Sequence, residues 1–225
     1  MLYVWILGSF FSCIVGVCLA EICATLPNAG SVYNWAGELS HQKNAPVVSY
    51  TAGWLNLLGN ATSAVGYSFG FGQFVAALYN IVNPNDALSL GFQVLFAMSG
   101  TLLMAFANTH RIDHQGWLNF FTLVFSVGSL IAVCTALVAS DSPKQSLHWA
   151  FTTTYNATGF SSFVYVVLTG TLTLLFGVAG YEASAHLAEE TSNPRRVAPW
   201  GMVFNILSTC VFGFVYLLIL VLNTP

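Results

Sequence analysis

The sequence predicts an all-α, polytopic membrane protein with about six transmembrane helices, each needing about 20 apolar residues. Three observations carry that class. Hydrophobic residues fill 56% of 225 positions and charged residues only 6%, against about 25% charge in an ordinary soluble domain. The mean hydropathy is +0.72. The aromatic share of 15% suits spans anchored by Trp and Tyr at the membrane interfaces. The net charge of −3 comes from a few loop residues, and no basic stripe points to nucleic acid.

The spans are expected at 1–25, 49–80, 89–108, 115–139, 163–187 and 200–222. The first carries Gly8, Ser12, Gly16, Ala20 and Ala24 at four-residue spacing, a small-residue face that lets membrane helices approach closely. Residues 1–20, ending Cys18-Leu19-Ala20, also resemble a signal peptide, but no Lys or Arg precedes the apolar core. The second span holds Gly66 and Gly70 as a GxxxG pair, continued by Gly59 and Ser63, and packing is the default expectation for that face. Phe69, Phe71 and Phe74 read as lipid or core contacts.

Turn residues punctuate the connections: Pro27 to Gly30, Asn83 to Asp86, Asn108 to Asp113, Asp141 to Pro143, and Asn193-Pro194. Alternate loops share a side. One side holds Lys43, Arg111, Arg195 and Arg196 and the other only Lys144, so the positive-inside rule places both ends outside the cytoplasm. A start on the outer face with no preceding loop suggests that a segment upstream is missing.

The most informative stretch is 176–201. Gly177 and Gly180 interrupt an apolar run, and the lone carboxylate Glu182 follows. Hydrocarbon holds no water for freed backbone groups, so a broken helix is tolerated only against protein or a wet cavity. An ionisable side chain at that depth is a functional-site candidate. The expected substrate-binding residues are Phe176, Gly177, Val178, Ala179, Gly180, Tyr181 and Glu182. Freed carbonyls would attract an ammonium group and freed amides a carboxylate. Two readings of Glu182 stand side by side: contact with a substrate amine or a proton, or capping of the inner half-helix. Tyr181 either gates or stacks on a cation, or simply packs.

Two motifs carry a family resemblance. One is Glu21 followed by Pro27, Asn28, Ala29, Gly30, Ser31, Val32, Tyr33 and Trp35. The other is Gly180-Tyr181-Glu182 with Ser184-Ala185-His186, then Glu189-Glu190, Asn193-Pro194-Arg195-Arg196 and Pro199. Together they resemble the amino acid–polyamine–organocation permeases, within them the fungal amino acid, GABA and choline permease branch. The departure is Asn28-Ala29-Gly30-Ser31, where that family commonly has paired glycines, and it bears on loop shape rather than substrate.

The resemblance implies a partial leucine-transporter-type fold, in which about twelve helices form two inverted repeats. It aligns this chain with family helices two to seven, so residues 1–225 are expected to be a partial permease domain. The first helix and those after the seventh would be missing. It further implies secondary active transport of an amino acid or related amine of the GABA or choline class, coupled to protons. The implied membrane is the plasma membrane, with vacuolar or other endomembranes as alternatives. The competing expectation is a truncated, non-transporting membrane fragment with regulatory or no activity. The partners expected are the small-molecule substrate, a coupling proton and the bilayer, with no nucleic acid.

The remaining polar residues have plainer readings. Glu21 sits near the inner end of the first span and suits a loop anchor or salt bridge. Glu189 and Glu190 with Arg195 and Arg196 form either a cytoplasmic charge lock or a solvated exit loop. His186 reads as a polar residue at the inner mouth. His110 and His114, with Asp113, have metal-ligand spacing, but a short solvated turn explains them, and no metal is expected. Cys13, Cys18, Cys23, Cys134 and Cys210 read as buried small hydrophobes. Asn156-Ala157-Thr158 is a glycosylation sequon on the outer side. No cofactor, P-loop, HExxH or Ser-His-Asp pattern is expected or present, which argues against an enzyme. No filter motif supports a channel.

Overall fold

The computed structural model describes all residues except 85, 110–115, 141–142, 155, 157 and 224–225. Among the described residues the chain is helical, without strands: α1 (Leu2–Thr25), α2 (Ser31–Glu38), α3 (Ala45–Val82), α4 (Leu90–Ala107), α5 (Gly116–Ala139), α6 (Leu147–Thr152), α7 (Phe163–Val178), α8 (Ala183–His186) and α9 (Pro194–Leu222). A 3-10 turn, Ala188–Glu190, joins α8 to the approach of α9. Two compact units divide the chain, residues 1–39 with 126–225 and residues 40–125.

The first unit is built on α1, α7 and α9. Lipid tails are as apolar as leucine, so these helices associate through close packing rather than escape from water. The small-residue face of α1 supplies that closeness. Leu174 of α7 covers Gly8, and Ile206 of α9 sits where a Cβ on Gly16 would be 2.8 Å away. Trp5 lodges against Gly213 of α9 and Gly177 of α7, and its indole N–H donates to the Cys210 carbonyl at 3.0 Å. A second core holds Cys23, Trp35, Ala185, Ala188, Ala198 and Met202. Tyr181 packs against both cores.

In the second unit α3 lies on α4. Gly72 backs onto the Gln93 carbonyl, Phe71 meets Gly100, and Thr101 donates to the Ser68 hydroxyl at 2.8 Å. The small face expected at Gly59 and Gly70 is not the contact: nothing lies within 4 Å of a Cβ added at either. Gly72, two residues beyond the GxxxG pair, makes the close approach instead. Phe69, Phe71 and Phe74 remain partly or largely exposed, as lipid-facing residues would be.

Five helical stretches are long and apolar enough to cross a membrane: Leu2–Thr25, Leu90–Ala107, Gly116–Ala139, Phe163–His186 and Pro194–Leu222. The span expected at 49–80 lies within α3, which is 38 residues long and so extends about 57 Å. It is not among the five, because Asn56, Asn60, Thr62, Ser63 and Ser68 dilute its apolar character. α5 has no buried residue at all, which suits a helix whose surroundings are apolar.

Two short helices went unforeseen in the loops. α2 forms because Val32 and Trp35 share one face; the Trp35 indole donates to the Leu26 carbonyl at 2.8 Å. α6 is capped by Ser146, whose hydroxyl accepts from the Trp149 amide at 3.1 Å, the ordinary use of serine at a helix start.

Candidate functional site

α7 stops at Val178. Ala179 turns extended (φ −58°, ψ 148°), and Gly180 takes φ +88°, a conformation costly for any residue with a Cβ. The chain makes a turn through Tyr181 and Glu182, then one helical turn, α8. Helix ends leave their last carbonyls without intrahelical amides. Here the carbonyls of Gly177, Val178 and Ala179 accept no hydrogen bond from any described residue.

The seven residues expected at the site divide. Phe176, Gly177, Ala179 and Gly180 are exposed, Val178 is buried among Leu2, Trp5 and Leu174, and Tyr181 and Glu182 are half-buried. Val178 therefore serves the core. Gly177 lies inside α7 rather than at the turn, and the Trp5 ring is 3.3 Å from where its Cβ would be. The interruption falls at Ala179 and Gly180. Tyr181 is packed between the two cores.

Glu182 occupies the N-cap position of α8, yet its side chain makes no capping hydrogen bond. Its carboxylate has no hydrogen-bond or ion-pair partner among the described residues. The capping alternative is thus not realised in this conformation. A second expectation also shifts. α8 is a single turn, too short to sum peptide dipoles into an appreciable positive end, so the chemistry of the break is dominated by oxygen: carbonyls of α7 and the Glu182 carboxylate. Such a set attracts cations and protons.

On the side of the chain reached by α8, the two sequence motifs meet. The His186 ring Nδ1 donates to the Ala29 carbonyl at 2.8 Å, and the Ala29 amide donates to the Glu189 carboxylate at 3.1 Å. Sequence reasoning missed this clamp, which joins residues 157 and 160 positions apart. The Ala29 loop is shaped by Asn28, whose side-chain oxygen accepts from the Gly30 amide at 2.7 Å.

Of the two readings of Glu189, Glu190, Arg195 and Arg196, the charge lock is not formed in this conformation. Glu189 turns to a backbone amide, and no ion pair joins Glu189 or Glu190 to Arg195 or Arg196 among the described residues. The physical reason is that α9 begins at Pro194, so both arginines lie on its first turn, exposed to solvent. Glu21 is likewise exposed and without a partner among the described residues. Asn193 enters α9 in the left-handed region (φ 59°), which asparagine tolerates better than most residues.

Asn156 lies in the α6–α7 connection, where its side-chain oxygen accepts from the Thr158 amide at 3.0 Å and hydroxyl at 2.7 Å. His110, Asp113 and His114 lie outside the described residues, and no cluster of three metal-ligating side chains occurs among those described. Of the cysteines, Cys23 and Cys210 are buried, but Cys18 faces outward, correcting the expectation that all five are buried. A groove of about 320 Å³ between α3 and α4, lined by Val65, Phe69, Val94 and Met98 among others, carries no charged group.

The described residues thus form a multi-pass helical membrane protein in which one apolar span is interrupted at Ala179 and Gly180, beside the half-buried carboxylate of Glu182. The chain matches the amino acid permease family over residues 1–224 and belongs to that family. It is 27% identical over 226 residues to the amino-acid permease BAT1 homolog of Oryza sativa subsp. japonica, covering 97% of this chain and 43% of that protein. It is 25% identical to the amino-acid permease BAT1 of Arabidopsis thaliana, covering 97% of this chain and 44% of the relative. Amino-acid permease 2 of Neurospora crassa is 28% identical, with 98% of this chain and 41% of the relative covered. The chain thus spans less than half the length of these curated relatives. No solved structure matches it significantly.

Proposed function

We propose that this protein takes part in secondary active transport of an amino acid or related amine, with the substrate amine received at the interruption of α7. The observation that carries the reading is the oxygen-rich turn at 177–182: Gly180 at φ +88° and a half-buried Glu182 without a capping bond. Carbonyl oxygens and a carboxylate at membrane depth complement an ammonium group. The names of the relatives support amino acids as the substrate class. GABA and choline, whose cationic heads suit Glu182, are the narrower proposal, and proton coupling rests on the family resemblance.

In this reading the protein spans the plasma membrane, α3 serves as a sixth span, and the Ala29 clamp lies on the cytoplasmic side. The loops after α1 and α7 meet at Ala29 and His186, as loops on one side must. The loop before α6 also meets the C-terminal end of α9, where the Gln145 amide donates to the Leu222 carbonyl at 2.8 Å.

The test is uptake of radiolabelled amino acids, GABA and choline by vesicles bearing the protein, comparing wild type with Gly180→Ala. Nothing crowds a Cβ at Gly180, so the substitution perturbs only the φ > 0 turn, at about 1–2 kcal/mol. Uptake should fall while membrane insertion persists. Unchanged uptake would remove the break from the site. No uptake by wild type, with insertion intact, would support a non-transporting segment instead.

A further inference from the structure

The geometry points to an oxidisable dithiol inside the membrane: Cys13 of α1 and Cys210 of α9 close to a disulfide that straps the two helices together. Both thiols are free, Cys210 buried and Cys13 half-buried, and their Sγ atoms lie 3.9 Å apart. A disulfide needs about 2 Å between sulfurs, so the two thiols have a further ~2 Å to close. The helices are already pressed together on both sides of the pair. Ile206 seats on Gly16 one turn away, and the Trp5 indole is hydrogen-bonded to the backbone of Cys210 itself. The other cysteines lack this arrangement: Cys18 faces outward, Cys23 is sealed in the second core, and Cys134 lies on α5.

The oxidant required is a hydroperoxide, the class that lipid oxidation generates within bilayers and that can reach an apolar site. The S–S bond forms as the peroxide O–O bond breaks. The two thiols give up two electrons and two protons, and the hydroperoxide leaves as an alcohol and a water molecule. The product fixes the register of α1 on α9, and with it the place of Trp5 against Gly213. A reductant reverses it.

The test uses the whole chain in lipid vesicles, reduced, exposed to cumene hydroperoxide, then denatured, alkylated with a maleimide, digested and analysed by mass spectrometry. The expected result is a peptide containing Cys13 joined to one containing Cys210, short of the two thiol hydrogens and lost on reduction, with Cys18 recovered alkylated. In Cys13→Ala the linked pair should vanish; the wild-type map stands even if that variant folds poorly. Recovery of Cys13 and Cys210 both alkylated, after treatment sufficient to oxidise a small-molecule thiol dissolved in the same bilayer, would overturn the proposal. So would Cys13 joined to any other cysteine in preference to Cys210.

Discussion

His186 donates from Nδ1 to the carbonyl oxygen of Ala29, across 157 residues of sequence. A carbonyl cannot donate, so Nδ1 carries the hydrogen, in the neutral ring as in the cation. Together with Glu189 on the Ala29 amide, both polar groups of one residue's backbone are held by the segment after α7. The loop after α1 is therefore pinned to the exit of the interrupted helix.

The first prediction concerns that clamp. His186→Ala should destabilise the protein by about 1–2 kcal/mol, the loss of one part-buried hydrogen bond and the stranding of its acceptor. His186→Asn should recover part of this, because its amide nitrogen sits near the place of Nδ1. The measurement is thermal unfolding in detergent together with protease sensitivity of residues 26–44. An alanine variant as stable and protected as wild type would show the clamp to be idle.

Ser31 is the second. It is fully buried, its hydroxyl has no partner, and its φ is +45°, a region that costs a non-glycine residue about 1–3 kcal/mol. This is the loop in which the family resemblance implies paired glycines. Ser31→Gly should therefore stabilise the protein by about 1 kcal/mol after the entropy cost of glycine is subtracted. Ser31→Ala removes only the stranded hydroxyl and should gain less. A lower melting temperature for Ser31→Gly than for Ser31→Ala would contradict the strain account.

These two sites show what could be read in advance and what could not. The apolar runs of α1, α4, α5, α7 and α9 are legible because composition alone forces them into helices in a bilayer. Gly180 beside Glu182 marks the interruption for the same reason. The Ala29 clamp is invisible in sequence, since its partners are a backbone amide and carbonyl whose place depends on the whole packing of the first unit. For Arg195 and Arg196 the charge pattern alone leaves lock and solvated loop open, because the choice depends on α9 starting at Pro194. The role of Trp5 rests on its pairing with Gly177 and Gly213, which spacing within one helix cannot reveal.

The third prediction follows from that notch. Trp5→Phe removes the indole hydrogen bond to Cys210 and should cost about 1–2 kcal/mol, whereas Trp5→Ala leaves a cavity and should cost about 3–5 kcal/mol. Gly213→Ala, which drives a methyl group into the ring, should destabilise as well. Unfolding followed by Trp-independent thiol labelling measures all three. Equal stabilities for the Phe and Ala variants would mean that the ring is not packed as described.

Topology is open to a fourth test. Asn156 lies in the α6–α7 connection, proposed to face outward, while Asn60 lies within α3, hydrogen-bonded to Asn56 at 3.0 Å. Expressed in a secretory membrane, Asn156 should accept a glycan and Asn60 should not. Loss of the mass shift in Asn156→Gln, but not in Asn60→Gln, is the expected pattern. Sugar on Asn60, or cytoplasmic labelling of residues 143–160, would reject the six-span orientation.

The last prediction separates two roles for Glu182. Its carboxylate caps nothing in this conformation, so neutralising it should leave folding nearly untouched. If it receives an ammonium group or a proton, Glu182→Gln should cut uptake by about tenfold or more, equivalent to at least ~1.4 kcal/mol of lost interaction, and flatten the pH dependence of uptake. Glu182→Asp, which keeps the charge but withdraws it, should fall between. Uptake in vesicles across a pH series, with melting temperature as the control, distinguishes the outcomes. A glutamine variant with wild-type uptake and an unchanged pH profile would assign the cation-binding role to the α7 carbonyls alone, because those oxygens survive the substitution intact.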